Sequence, residues 1–193
     1  MTLRILPVIA ALALSGVACP LPASAQATMS GEKTVEVGGA PMYPSKTIVE
    51  NAVNSKDHTT LVAAVKAAGL VDTLASPGPF TVFTPTNKAF GKLPKGAVET
   101  LVQPQSKATL TGILTYHVVP GRYTAQDLIA LVKQGGGQAQ LKTAQGGSLV
   151  VAPAGKNKLS VTDAKGQQAI VTIPNVMQSN GVIHVVDTVL LPS

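Results

Sequence analysis

The spacing of apolar residues changes near Gln138, and the change divides the chain into a helical part and a strand-rich part. Leu61, Val65 and Ala68 recur at helical spacing, which predicts an amphipathic helix with Asp57 or Thr59 as its N-cap and Gly69 as its stop. Phe80, Val82 and Thr84 alternate with Thr81 and Phe83, between Pro77-Gly78-Pro79 and Pro85, as in a short strand that runs into a turn. A helix is expected next, capped by Thr84 or Thr86 and broken at Leu93-Pro94-Lys95-Gly96. Helical spacing resumes over residues 97–102 and 107–114, where Leu110, Ile113 and Leu114 share a face. It returns over residues 124–133, with Thr124 as cap, Asp127 in the first turn, and Leu128, Leu131 and Val132 on the buried side. Downstream the period is two: Ala139 and Leu141, Leu149 and Val151, Leu159 and Val161, Ile170 and Thr172, then Val182, His184 and Val186, separated by Gly, Pro, Asn or Asp turns. Helices followed by strands argue for an α+β fold, with helices packed on one side of an antiparallel or mixed sheet.

The N-terminus reads differently. Arg4 precedes an apolar run over residues 5–17 that is too short to span a bilayer and fits a secretory signal. Ala23-Ser24-Ala25 offers cleavage before Gln26, giving a signal peptide over residues 1–25. Gly16-Val17-Ala18-Cys19 loosely resembles a lipoprotein box, so anchoring through Cys19 is the weaker alternative. Cleavage after Ala25 removes the single cysteine, and stability then rests on a packed core without disulfides. Residues 26–43, small and rich in Gly and Pro, read as a flexible lead-in, and residues 44–193 as a single domain. No later stretch is long and apolar enough for a transmembrane helix. No asparagine is followed two positions later by Ser or Thr, which favours a bacterial source.

Charge narrows the partners. The net charge is +6, or +5 without Arg4, but the cations are mostly single lysines and aromatics make up 3% of the chain. Base-stacking platforms are therefore scarce, and nucleic acid is not an expected partner. An anionic surface polymer is compatible with this charge.

Three segments carry a more specific signal: FTVFTPTNKAF at residues 80–90, YHVVPG at 116–121 and NGVIHVVDTVLLP at 180–192. In order and spacing they resemble the signature of the fasciclin domain family. The resemblance covers residues 43–192 and implies a β-sandwich or wedge with several helices packed along it. Thr84, Pro85, Thr86, Asn87, Asn180, Gly181, His184 and Asp187 match its fold-defining positions. It further implies an extracellular or periplasmic module that makes adhesive or surface contacts. In adhesive relatives a Tyr-His pair is linked to receptor binding, and Tyr116 and His117 match it. A second adhesive element, an Asp-Ile pair, is replaced here by Asn175-Val176, so the acidic group is missing.

The residues themselves suggest quieter roles. His117, between a helix and the Pro120-Gly121 turn, reads as a structural clamp before it reads as a partner contact, and the family resemblance implies the polar groups of residues 84–87 as its neighbours. His184 alternates with valines and reads as a half-buried core residue; Asn180-Gly181 supplies a turn and Asp187 caps or bonds the next one. No nucleophile elbow, Walker loop, dinucleotide fingerprint or His-Glu-x-x-His is present. His58, His117 and His184 lie on separate elements, so no metal site, no cofactor and no catalysis are expected. The expected function is a secreted or periplasmic interaction module for a protein or surface polymer; the alternative is a carrier of a small apolar ligand, carotenoid- or lipid-like.

Overall fold

The helical repeat of Leu61, Val65 and Ala68 lies on a helix over Thr59–Ala68, and all three side chains are buried. A computed structural model describes residues 34–94, 96–155 and 158–192. The expected signal peptide at residues 1–25, with Cys19, lies outside the described residues, as do residues 26–33 of the lead-in and Lys95. The helices are α1 (Ile48–Ala52), α2 (Thr59–Ala68), α3 (Val71–Ala75), α4 (Asn87–Gly91), α5 (Ala97–Leu101), α6 (Lys107–Tyr116) and α7 (Ala125–Gln134). The strands are β1 (Val35–Val37), β2 (Ala40–Met42), β3 (Phe80–Pro85), β4 (Val118–Pro120), β5 (Ala139–Lys142), β6 (Ser148–Pro153), β7 (Leu159–Thr162), β8 (Gln168–Gln178) and β9 (Gly181–Val186).

The main sheet has seven strands in the order β4-β3-β9-β8-β7-β6-β5. It is mixed, because β3 runs parallel to β9 while the other neighbours are antiparallel. The sheet curls until its ends approach, and the amide of Ala144, just past β5, donates to the carbonyl of Val118 in β4 at 2.7 Å.

This curl produces two cores. One fills the space between the sheet and α1 to α6, where Val82, Val118, Ile183 and Val185 meet Leu61, Val65, Leu110 and Ile113. The other lies inside the curl under α7, where Phe83, Tyr116, Val151, Val161 and Val186 pack against Leu128 and Val132. β3 and β9 stand between the cores, so Val82 and Phe83, adjacent in sequence, serve opposite ones. Every residue of β9 is buried, which corrects the half-buried reading of His184: a central strand covered on both faces has no solvent side.

Two further expectations need correction. Residues 35–42 are not a tether. They form the β1–β2 hairpin around Gly38 and Gly39, both at positive φ, and place Val37 and Met42 in the first core. The strands are three residues each and β2 contains Pro41, too short and too interrupted to show a period. Neither Asp57 nor Thr59 caps α2. A 3-10 turn over Lys56–His58 leads into it, and Asn87 supplies the cap from α4: its Oδ1 accepts from the Thr60 amide at 3.1 Å, while its Nδ2 donates to the Lys56 carbonyl and Thr59 Oγ1. Gly69 ends α2 in the left-handed conformation, φ 73°. Of the two candidate caps for α4, Thr86 takes the role and accepts from the Ala89 amide. Thr124 and Asp127 form a reciprocal capping box at the start of α7.

Candidate functional site

Tyr116 ends α6 with its ring in the second core, 1% exposed. Its hydroxyl donates to the Ser148 carbonyl at 2.7 Å and accepts from the Ala164 amide at 3.0 Å. One phenol therefore joins the start of β6 to the turn after β7. Gly147 lies so close to the ring that a Cβ there would sit 2.6 Å from Tyr116 Cε2. Burial pushes the phenol pKa up.

His117, 3% exposed, faces the first core. Its Nδ1 lies 2.8 Å from the Ile113 carbonyl and its Nε2 accepts from the Leu190 amide at 3.0 Å. An amide can only donate, so Nε2 must be unprotonated and Nδ1 carries the hydrogen. Burial pushes its pKa down to about 4, against the opposing effects of the Ile113 bond and the Asp163 charge. Asp163 fixes the next residue of the same segment, accepting from the Leu191 amide at 2.9 Å. The ring bonds of His117 thus go to Ile113 and Leu190, not to residues 84–87; its own carbonyl accepts from the Phe83 amide. For both residues suggested as partner contacts, the side chain is enclosed and its polar atoms are engaged internally. In this conformation neither offers a side chain to a partner.

The other motif residues also bind inward. Asn180 is 7% exposed; its Oδ1 accepts from the Ile48 amide, and its Nδ2 donates to the carbonyls of Leu74 and Ser76. One side chain ties α1, α3 and the β8–β9 turn together. Asn180→Ala leaves these three backbone groups without their partner and is expected to cost about 2 kcal/mol, read as a lower urea midpoint at unchanged slope. Gly181 lies against the Phe80 carbonyl, where a Cβ has no room. His184 Nε2 meets the Tyr123 carbonyl at 2.9 Å, its ring stacks on Phe83 with centroids 5.7 Å apart, and burial lowers its pKa. Asp187 accepts from the Ile170 amide and from Lys92, 3.2 Å away; partial burial works to raise its pKa, but these bonds bring the net shift down. Asn175, at φ 59° in an irregular stretch of β8, accepts from the Ala125 amide at the start of α7. The Asn175 side-chain amide thus holds the start of a helix.

Pro85 ends β3 and lets the chain turn into α4. Thr84 has a hydroxyl that is buried without a hydrogen-bond partner, as is Nε2 of His58. Thr84 lines an apolar crevice between β3 and the helices α1 to α3, with Ile48, Leu61, Val65 and Val71 among its walls, and this crevice holds about 40 Å³. A second concavity is wider and more polar. It is open, about 460 Å³ in volume, and bounded by Thr47, Pro77, Pro79, Arg122, Ser179 and Asn180. Sequence reading passed over Arg122 and Ser179, because four distant stretches meet here and none carries a motif of its own.

A curled mixed sheet with most of its motif side chains engaged in internal bonds defines the class: an α+β wedge held from within. Residues 56–192 match the fasciclin domain. The chain belongs to the fasciclin domain family. A Synechocystis protein is 44% identical over 186 residues, spanning 96% of each chain. Immunogenic protein MPB70 of Mycobacterium bovis is 36% identical over 146 residues, 73% of this chain and 66% of that one. Among solved structures, the FAS1 domain pair from the insect cell adhesion molecule fasciclin I matches with TM-score 0.69 at 23% identity, over 77% of this chain and 52% of that one. That likeness shows the fold.

Proposed function

We propose that the chain is a secreted or periplasmic, non-enzymatic interaction module that contacts a protein or surface polymer. The observation carrying this reading is membership of a family that includes a cell adhesion molecule, on a chain whose signature residues serve the scaffold. Contacts then fall to the loops at the end of the wedge. Among the described residues no helix is long and apolar enough to cross a membrane.

A native mass spectrum of the protein from its own source, paired with sedimentation against purified envelope material, tests this reading. The expected result is a bare chain beginning at Gln26 that co-sediments with the envelope fraction. A chain that stays wholly in the supernatant would count against a surface role, and a diacyl mass on Cys19 would make it a tethered protein.

The second reading, a carrier of a small apolar ligand, draws on the crevice beside Thr84, whose unpartnered hydroxyl would meet a polar end group. Its volume of about 40 Å³ suffices for a few waters. A carotenoid- or lipid-like molecule would require α1 to α3 to move off the sheet. Magnitude therefore favours the interaction module, and a retained small-molecule mass in the same spectrum would reverse that order.

A further inference from the structure

We propose that the open groove beside Arg122 binds a carboxylated sugar segment of an anionic surface polysaccharide, with the Arg122 guanidinium as its carboxylate anchor. The proposal rests on the interaction-module reading and names the chemistry of the partner.

The groove is built from four stretches: Thr47 at the start of α1, the loop containing Pro77 and Pro79 between α3 and β3, Arg122 after β4, and Ser179-Asn180 at the β8–β9 turn. Asn180 holds three of its walls in place through its bonds to Ile48, Leu74 and Ser76, and the Ser179 amide is tied to the Lys46 carbonyl. The concavity therefore does not have to be ordered by its ligand.

Arg122 is exposed, and its Nη2 donates to the Gln178 carbonyl at 3.3 Å. That bond steadies the guanidinium while leaving its other donors unused, and Arg122 forms no ion pair among the described residues. The acid bonded to a groove residue, Glu50, is turned onto the amide and hydroxyl of Thr47, both at 2.8 Å. A steadied guanidinium and the Ser179 hydroxyl therefore border an open trough walled by proline rings. A guanidinium fork matches a carboxylate bidentately, and hydroxyls match sugar hydroxyls.

The shape favours a sugar over an acidic peptide. Acidic peptides are held by clusters of arginines, by apolar anchors in closed pockets or by strand addition at a free edge, and this groove is lined by a single arginine. This groove is open at about 460 Å³, and the strands beside it are already paired, the Phe80 amide donating to the Asn180 carbonyl. A polymer can pass through an open trough without its ends being bound. The net charge of +5 that remains without Arg4 adds long-range attraction for a polyanion.

Titration calorimetry of the full chain with a defined oligogalacturonate tests the proposal. Arg122→Gln is expected to weaken binding roughly tenfold or more, since a charge-assisted bidentate contact is lost. Arg122→Lys keeps the charge but not the fork and should fall between. Lys142→Gln, an exposed charge on β5, should change affinity less than about twofold, and Arg122→Gln should melt within about 2 °C of the parent. Equal losses in Arg122→Gln and Lys142→Gln would mean diffuse charge attraction and overturn the proposal. So would poly-glutamate binding as tightly as the oligogalacturonate. If envelope material binds but Arg122→Gln leaves that binding intact, the groove assignment fails and the interaction-module reading stands. If neither oligogalacturonate nor envelope material binds, both fail.

Discussion

Tyr116→Ala should destabilise the domain by about 3–5 kcal/mol, the usual cost of removing a fully buried large aromatic. The ring is 1% exposed and its loss opens a cavity in the core beneath α7. The cost has a polar component too, because the Ser148 carbonyl and the Ala164 amide both lose their partner. Tyr116→Phe isolates that component and should cost about 2 kcal/mol. Urea denaturation of both variants checks the pair. An alanine variant as stable as the parent would mean that Tyr116 does not clip the curl of the sheet.

Acid should unfold the protein earlier than its carboxylates alone would. His117 titrates at about 4 when folded against an ordinary 6.5, and burial lowers the pKa of His58 and His184 as well. The sign follows from proton uptake. Above pH 6.5 the imidazoles are neutral in both states and stability is complete. As pH falls from 6.5 toward 4, the unfolded chain takes up protons that the folded chain refuses, so stability drops; for His117 the loss levels off below its folded pKa. From a shift of that size, His117 alone contributes about 3 kcal/mol of loss. Protonation also turns Nε2 into a donor facing the Leu190 amide, which releases the chain after β9. Urea midpoints should hold from pH 7.5 to about 6.5 and decline from there to pH 4.5, and His117→Gln should flatten part of the slope. A midpoint constant from pH 7.5 to 5 would contradict the buried, neutral assignment.

Much of the scaffold was legible because its signals are local. The repeat of Leu61, Val65 and Ala68, the Thr124–Asp127 capping box and the alternating residues of the second half each report a period or a cap within a few positions. The β1–β2 hairpin escaped because three-residue strands around Gly38-Gly39 carry no period. The cap of α2 escaped because it comes from Asn87, 27 residues downstream of Thr60. The surroundings of Tyr116 and His117 were legible only in part: a clamp was foreseeable at His117 from residue type, whereas the burial of Tyr116 was not, and the partners at Ile113, Leu190, Ser148 and Ala164 are set by the curl of the sheet. The groove beside Arg122 was not legible, since it exists only where four loops converge.

The central claim, that the Tyr-His pair holds the scaffold while contacts are made elsewhere, is tested most directly by Tyr116→Phe measured for thermal stability and envelope attachment side by side. The account predicts a lowered melting temperature with attachment per folded molecule unchanged. Lost attachment at an unchanged melting temperature would contradict it and make Tyr116 a recognition residue.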